Sequence, residues 1–325
     1  MAESLEHIAL PVKKELEESE AFYRESLKTD VSLLEDVIEY IIQQQGKKFR
    51  PLLILLSAAM TGKINQITYL ATTAIEMLHT ATLVHDDVVD DADQRRGMKS
   101  VNAVWQSKVA VLVGDYLLAQ ALMLVTKSKA YDLLEIITLP IRYMSEGELL
   151  QIEKSRSLDI TESTYFEIIN KKTAALIAAS AATGAKSAGA DDKTVEQLRG
   201  IGELMGMAFQ IRDDIFDYQE TDAIGKPTGN DIIERKITLP LIHALNQVNE
   251  ERQKEILDLV HNAGKERTNI ELVRDFVYNY KGLEYAEGVA RQYRDKAITL
   301  LKQFPESPAH ASMIELAYYI TERNK

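Results

Sequence analysis

Apolar residues recur along this chain at intervals of three and four residues. Two clear stretches are 33–42, with LLEDVIEYII, and 198–209, with LRGIGELMGMAF. This spacing places apolar side chains along one face of a helix, and the strict alternation of a strand is nearly absent. Gly, Pro and small polar residues interrupt the pattern, leaving roughly ten to twelve helices between the interruptions. The pattern therefore predicts an all-α bundle of mostly antiparallel helices.

No Ser-, Gly- or Pro-rich linker divides the sequence, so we predict a single domain over residues 1–325. The first 30 residues are its most polar stretch, and we expect them to form a peripheral helical segment. Ranges 109–125 and 174–182 are apolar nearly all round. Such helices are buried in a bundle centre or in a subunit interface.

Composition narrows the functional class. Hydrophobic residues make up 46% of the 325, with only 15 Gly and 7 Pro, as in a soluble helical protein. The net charge of -12 argues against a nucleic-acid partner. The N-terminus is charged throughout, and the apolar segment VAVLVGDYLLAQALMLV is interrupted by Asp115 and too short to span a bilayer. We predict a cytoplasmic protein without a transmembrane segment, with at most transient membrane contact.

Two aspartate clusters share the spacing D-D-x-x-D. In a helix over 66–92, Asp86 and Asp90 lie at i and i+4, and Asp87 is one position round. A solvated acidic helix end would explain this cluster alone. It does not explain the second cluster, which consists of Asp213, Asp214 and Asp217 and lies inside the apolar stretch FQIRDDIFDY. If the two clusters face each other, they would bind divalent cations. Oxygen donors in a chain without cysteine favour Mg²⁺.

Basic residues accompany these clusters in an otherwise acidic chain. Lys47, Lys48 and Arg50 precede a predicted helix, Arg95 and Arg96 follow the first cluster, and Lys226, Arg235 and Lys236 follow the second. Guanidinium and ammonium groups bind phosphate. The combination predicts one diphosphate bridged by metal and another bound by basic side chains. His79, two turns before Asp86, could donate to a diphosphate or make a structural hydrogen bond; His85 is not expected to be a metal ligand.

With these motifs the chain resembles the trans-polyprenyl diphosphate synthases, which elongate isoprenyl chains head to tail. The resemblance covers most of the chain, and it rests on GKKFRP, EMLHTATLVHDDVVDDADQRRG, GDYLLAQAL, EGELLQ, KTAALIAAS, FQIRDDIFDY and GKPTGNDIIERKITLPL. It implies the isoprenoid synthase fold with a deep central cavity, Mg²⁺ as cofactor and a homodimer. The substrates it implies are isopentenyl diphosphate and an allylic diphosphate.

The resemblance also implies roles for individual residues. Asp86, Asp87, Asp90, Asp213, Asp214 and Asp217 would hold three Mg²⁺ ions on the allylic diphosphate. Arg95, Lys172, Lys226 and Lys236 would contact that diphosphate. Lys47, Arg50, His79 and Arg96 would bind isopentenyl diphosphate, and Lys172, Thr173 and Gln210 would act beside the reacting carbons. This chain departs from the family pattern at Gln45, Phe49 and Arg235. Because Arg235 directly precedes Lys236, it puts the role of Lys236 in question.

Small residues precede the first cluster where short-chain members have bulky aromatics. Ala81 and Thr82 either allow close helix packing or leave the product tunnel open. On the second interpretation the product passes Leu78, Met77 and Ala74 along a helix about 40 Å long. We therefore predict a product longer than geranylgeranyl diphosphate, made from a farnesyl or geranylgeranyl primer. The alternatives are a farnesyl or geranylgeranyl diphosphate synthase, a class I terpene cyclase, a catalytically silent regulatory subunit and a divalent-cation buffer.

Overall fold

Among the residues that the structure describes, the fold is all-α apart from one short hairpin. A computed structural model describes residues 4–44, 46–219, 229–264 and 266–323. Sixteen α-helices lie in these ranges, and twelve of them have at least twelve residues, which agrees with the ten to twelve helices predicted. Their bounds are α1 Leu5–Ile8, α2 Lys13–Ser26, α3 Ser32–Gln43, α4 Phe49–Thr61, α5 Gln66–Val89, α6 Val101–Lys127, α7 Tyr131–Ser157, α8 Glu162–Ile169, α9 Ala175–Ser187, α10 Asp192–Tyr218, α11 Asn230–Ile233, α12 Leu239–Leu245, α13 Glu250–Asn262, α14 Arg267–Asn279, α15 Gly282–Leu301 and α16 Pro308–Glu322.

Three shorter elements complete the fold. A 3₁₀ turn over Leu10–Val12 joins α1 to α2, and a π-helical turn over Asn170–Ala174 joins α8 to α9. The strands β1 Gln94–Arg95 and β2 Met98–Lys99 pair antiparallel after α5. The periodicity did not predict this hairpin. Its two turn residues, Arg96 and Gly97, have φ of +53° and +78°, as the tight turns favoured in hairpins require.

The bundle centre is formed by α4 and α9. Leu53 to Leu56 of α4 are fully buried, and almost every residue of α9 is buried, as the sequence predicted for 174–182. The helices approach so closely that a Cβ on Gly184 would lie 2.2 Å from the Ile54 carbonyl oxygen. Burial of each such leucine or isoleucine contributes about 1.5–3 kcal/mol, so this contact fixes the frame on which α5 and α10 pack.

Helices α5 and α10 both carry an aspartate cluster in their last turns. Asn65 begins α5 with a capping box, in which its side chain accepts from the Ile67 amide at 2.8 Å. Asp191 begins α10 by accepting from the Thr194 amide at 2.8 Å. The negative end of each helix dipole thus coincides with its aspartates. Both clusters therefore need compensating positive charge.

The outer face of α6 differs from the prediction for 109–125, because it is not buried all round. Leu112 is 59% exposed and Met123 46% exposed. By length and composition alone, α6 could cross a membrane. A third of its most apolar 18-residue segment is buried within the fold. The helix breaks at Gln106, whose φ of +71° and ψ of 157° fall in a region that only glycine adopts readily.

The N-terminal segment is helical and buries only one face. It forms α1, the 3₁₀ turn and α2, and Ile8 and Val12 are 0% and 1% exposed while most of its other residues are exposed or half-buried. Apolar side chains on one face of these short elements pack against the bundle. A second hydrophobic cluster, formed mainly by α12 to α15, packs against the C-terminal half of α10.

Candidate active site

The first aspartate cluster closes α5. Asp87 is 2% exposed, Asp86 is half-buried and Asp90 is exposed at the helix end. Burial raises the pKa of Asp86 to about 6, although the positive charge of Lys172 opposes the rise. Burial also raises the pKa of Asp87, and its hydrogen bond from Arg95 opposes this. These carboxylates are therefore poorly hydrated anions, and each gains by meeting a cation.

The hairpin after α5 points its two arginines to different places. Arg95 donates from Nε to the Asp87 carboxylate at 2.8 Å, with a second bond from Nη2. Arg96 donates to the Gln44 carbonyl oxygen at 2.9 Å and lines the large cavity described below. A Cβ on Gly46 would lie 2.7 Å from the Arg96 guanidinium carbon, so a larger residue there would displace the end of the Arg96 side chain.

The second aspartate cluster closes α10, and each member has a different partner. Asp213 accepts from Arg323 Nη2 at 2.5 Å. Asp214 is 5% exposed and accepts from the Tyr165 hydroxyl at 2.6 Å and from Gln210 Nε2 at 2.7 Å. Asp217 accepts three backbone amides, those of residues 229–231, at 3.0 to 3.1 Å. Burial raises the pKa of Asp214 to about 7, against these hydrogen bonds.

The π-helical turn carries Lys172 and Thr173 towards the second cluster. Thr173 donates to the Gln210 side-chain oxygen at 2.7 Å, and Gln210 in turn donates to Asp214. Lys172 pairs with Glu148 and donates to the Gln151 oxygen at 2.8 Å. Single π turns in helices are frequent at functional sites, because the extra residue re-aims the side chains around it. All three side chains predicted to act beside the reacting carbons thus lie together.

A cavity of about 790 Å³ lies between α2, α4, α5 and α10. Five side chains in its wall define what we call the basic pocket: Lys47, Arg50, His79, Arg96 and Arg323. The first four are the residues that the resemblance assigns to isopentenyl diphosphate, and the structure brings them together. Asp87 and Asp213 also line the cavity, so both clusters border it.

The basic pocket also contains carboxylates, because Glu20 and Glu76 line the same cavity. Burial lowers the pKa of Arg50 to about 10; the negative charge of Glu76 opposes this change, and the neighbouring Arg96 adds to it. Burial and the two arginines lower the pKa of His79 well below its usual range, so its imidazole is neutral at pH 7. Among the described residues, Arg50 Nε is buried without a hydrogen-bond partner. An anionic group would relieve each of these conditions.

Lys236 links the end of the second motif to the first cluster. It pairs with Glu234, and although burial opposes the change, the carboxylates of Glu234, Asp90 and Asp231 raise its pKa to about 12. Lys236 therefore remains positively charged despite the departure at Arg235. It shares a cavity of about 110 Å³ with Lys172, Thr173, Gln210 and Asp214. Lys226, and Gln45 of the first motif, lie outside the described residues.

No three carboxylate or histidine side chains within the described ranges converge closely enough to form a metal site by themselves. Protein partners satisfy Asp87, Asp213, Asp214 and Asp217 instead. An oxygen donor set spread over two clusters fits a cation such as Mg²⁺, which keeps waters and completes its shell with substrate phosphate. His85 lies 3.2 Å from the Val111 carbonyl oxygen and 3.6 Å from the Asp115 carboxylate, both on α6.

The predicted tunnel residues lie inside the bundle. Ala74, Met77, Leu78 and Ala81 are at most 2% exposed, while Thr82 is half-buried and donates to the His79 carbonyl oxygen at 2.8 Å. They line neither of the two cavities described here. The path along α5 therefore stays a prediction, and its residues belong to the core that precedes the first aspartate cluster.

Sequence reasoning missed four side chains at the site. Tyr165 and Glu148 contact predicted residues from other helices, Asp231 interacts with Asp214 and Asp217, and Arg323 closes the basic pocket. Asp231 stands within the motif GKPTGNDIIERKITLPL and could have been selected as a further acidic residue. Glu148 stands within the motif EGELLQ, whereas Tyr165 and Arg323 stand in stretches without a motif of their own.

Comparison with known proteins identifies the family of this chain. The family Polyprenyl synthetase matches residues 31–277. An octaprenyl diphosphate synthase of Haemophilus influenzae is 35% identical over 92% of this chain and 91% of its own. An all-trans-nonaprenyl-diphosphate synthase (geranyl-diphosphate specific) of Rhodobacter capsulatus is 35% identical over 97% of each chain.

A solved structure of similar shape is the polyprenyl synthase of Caulobacter crescentus CB15, complexed with calcium and isoprenyl diphosphate. It matches with a TM-score of 0.93 and 32% identity, covering 100% of this chain and 99% of that one. The similarity to these relatives extends over nearly the whole length of the chain, and the helical bundle matches that solved structure. The chain belongs to the polyprenyl synthetase family and is a trans-prenyltransferase that builds polyprenyl diphosphates.

Proposed function

We propose that this enzyme condenses isopentenyl diphosphate with farnesyl or geranylgeranyl diphosphate and repeats the step to a product longer than geranylgeranyl diphosphate. One observation above all supports this proposal: both aspartate clusters and the basic pocket border one cavity. Charge interactions cross between the sites, joining Arg50 to Asp213 and Lys236 to Asp90. Two diphosphates bound there would lie close enough for their carbon chains to meet.

Asp86, Asp87, Asp90, Asp213, Asp214 and Asp217 would hold Mg²⁺, in three ions once substrate is bound. Support comes from their all-oxygen donor set and from the calcium in the Caulobacter crescentus structure. When bound, the ions would supply positive charge to the departing diphosphate. Arg95, Lys172, Lys226 and Lys236 would add fixed cations around the same group.

The hydrogen-bonded side chains of Thr173, Gln210 and Asp214 would stabilise positive charge on the reacting carbons. Because Thr173 donates its proton to Gln210, its oxygen lone pairs remain free to face an allylic cation. The Gln210 amide is fixed by the bond that it donates to Asp214. Partial negative charge held in this orientation would stabilise the cation without capturing it, since neither side chain is a strong nucleophile.

The basic pocket would bind isopentenyl diphosphate and aim its double bond at the allylic carbon. Formation of the carbon–carbon bond leaves a cation that loses a proton, and the released diphosphate would accept it. The buried walls of the pocket exclude water that would otherwise trap the cation. Neutral His79 would donate one hydrogen bond without adding a competing charge. Orientation of the two substrates would supply much of the rate acceleration.

Product length is set, on this proposal, by the small side chains before the first cluster. Ala81 and Thr82 leave no aromatic floor beneath the allylic site, and the chain would extend along α5 past Leu78, Met77 and Ala74. The octaprenyl and nonaprenyl products named for two relatives support a long product. The buried positions of these residues would give the growing chain an apolar environment.

The exposed apolar face of α6 would be buried in a homodimer. Val111, Leu112 and Met123 are 40%, 59% and 46% exposed along this helix. Exposed large apolar side chains of this kind, here interrupted by the exposed Asp115, are found in protein interfaces. We propose this role for α6 in place of membrane insertion, with the dimer in the cytoplasm and transient membrane contact at product release.

The test is an elongation assay with purified protein, Mg²⁺, farnesyl diphosphate and labelled isopentenyl diphosphate, with products separated by chain length. We expect products longer than geranylgeranyl diphosphate, and no turnover after metal chelation. Products that stop at geranylgeranyl diphosphate would refute the long-chain assignment. A cyclic hydrocarbon, or no product, would refute elongation itself.

A further inference from the structure

Arg323, just after α16, closes the wall of the basic pocket. Its side chain is only 9% exposed. It donates from Nη2 to Asp213 at 2.5 Å and to the Phe209 carbonyl oxygen at 3.5 Å, and its guanidinium carbon lies 4.1 Å from the Phe209 ring centroid. Arg323 therefore contacts a member of the second aspartate cluster and lines the pocket of the other substrate.

These contacts leave much of the guanidinium unsatisfied. Arginine offers five N–H donors, and Arg323 Nε is buried without a hydrogen-bond partner in the described ranges. The cavity that Arg323 faces is also lined by Lys47, Arg50 and Arg96. Carboxylates of Glu20, Glu76, Asp87 and Asp213 line the same cavity and balance part of this positive charge. A phosphate can accept bidentate bonds from a guanidinium, including one from the Nε–H of Arg323 that has no partner in the described ranges.

The position of Arg323 is fixed despite its place near the chain end. Arg212 of α10 donates to the Arg323 carbonyl oxygen at 3.2 Å. Arg212 is itself held by Glu287 at 3.7 Å and stacks on Phe216 at 4.5 Å. The backbone is thus attached to α10 independently of the Arg323 side chain. If the side chain only terminated α16, it would not need to face the cavity.

We propose that Arg323 binds the diphosphate of isopentenyl diphosphate, and that its bond to Asp213 couples the second aspartate cluster to the basic pocket. The proposal rests on the assignment of the basic pocket to that substrate. While Asp213 accepts from Arg323, part of the guanidinium is withheld from phosphate. When Asp213 turns to a cation, the guanidinium is released to the incoming substrate.

The experiment is calorimetric titration of isopentenyl diphosphate, without metal, into four proteins: wild type, Arg323→Gln, Asp213→Asn and the double variant. Loss of a charge-assisted bond should weaken binding about 10- to 100-fold in Arg323→Gln. Asp213→Asn should bind more tightly than wild type, and this gain should vanish when residue 323 is Gln. Such a double-mutant cycle isolates the coupling between the two side chains.

Lys302→Gln is the matched control, because it removes one positive charge from an exposed position at the end of α15. Its affinity should match wild type. Arg323→Lys keeps the positive charge but lacks the planar guanidinium group, so it should bind isopentenyl diphosphate with intermediate affinity. Melting curves of all variants show whether the fold is retained.

Two outcomes would overturn the proposal: binding by Arg323→Gln equal to that of Lys302→Gln, or a gain from Asp213→Asn that persists in the double variant. The latter would mean that Asp213 acts only by general charge. Failure of wild type itself to bind isopentenyl diphosphate would instead refute the assignment of the pocket.

Discussion

Replacing Tyr165 with Phe should weaken metal binding without disturbing the fold. The Tyr165 hydroxyl donates to Asp214 at 2.6 Å, and both residues are at most 5% exposed. The pKa of Tyr165 is raised well above its usual range by burial and by Asp214, so the hydroxyl remains a donor at every pH considered. Phe keeps the ring and removes only this bond.

The size of the effect follows from the charge state of Asp214. Burial raises its pKa to about 7, and the bond from Tyr165 opposes that rise. A hydrogen bond to a charged group contributes about 1.5–3 kcal/mol, and 1.36 kcal/mol corresponds to about one pKa unit. Its loss should therefore raise the pKa of Asp214 by a further one to two units or so. At pH 7 the ionised fraction would fall from about half to about a tenth or less.

The assay is the Mg²⁺ dependence of condensation at pH 7 and pH 9. We expect the half-saturating Mg²⁺ concentration of Tyr165→Phe to rise about 10-fold or more at pH 7 and to recover substantially at pH 9, because a carboxylate must lose its proton to bind a metal. The control is Tyr69→Phe, which removes a similar bond, at 2.5 Å, to Glu18. Two results would contradict this prediction: equal half-saturating Mg²⁺ concentrations for Tyr165→Phe and Tyr69→Phe at pH 7, or an increase in Tyr165→Phe that is as large at pH 9 as at pH 7.

Three further predictions concern product length, backbone strain and pH. Ala81→Phe and Thr82→Phe should shorten the products seen by chromatography; an unchanged length distribution would refute the path along α5. Gln106→Gly should raise the melting temperature, because the strained backbone costs about 1–3 kcal/mol, and a lower temperature would contradict this. For Asp214, the folded pKa of about 7 exceeds the unfolded one, so stability from its bound proton is present at low pH and lost as pH rises towards 7. Metal-free melting curves should show that loss in wild type relative to Asp214→Asn, and parallel curves would contradict it.

Features encoded locally could be predicted from the sequence. The periodicity of α5 and α10 and the spacing of their aspartates depend only on neighbouring residues, so the helices and both clusters follow from the pattern. The resemblance gives Arg95 and Arg96 different substrates; in the structure both line the large cavity, and the hairpin directs them to different partners, Asp87 and the Gln44 carbonyl oxygen.

Features that depend on tertiary contacts could not be predicted. Tyr165 and Arg323 lie 49 and 110 residues from the aspartates that they contact, and neither stands in a motif. The π-helical turn at Lys172 and the exposed face of α6 also depend on packing between helices. An apolar stretch predicts that its surface is buried. It does not indicate whether this chain or a partner chain buries that surface.

The central claim is that the two aspartate clusters act together on one metal-bound allylic diphosphate. The most direct test is Mg²⁺-dependent condensation by Asp86→Ala and by Asp213→Ala, with circular dichroism and melting curves to verify the fold. We predict that turnover falls by several orders of magnitude in each variant while the helical fold survives. Near-normal turnover in either variant would contradict the claim.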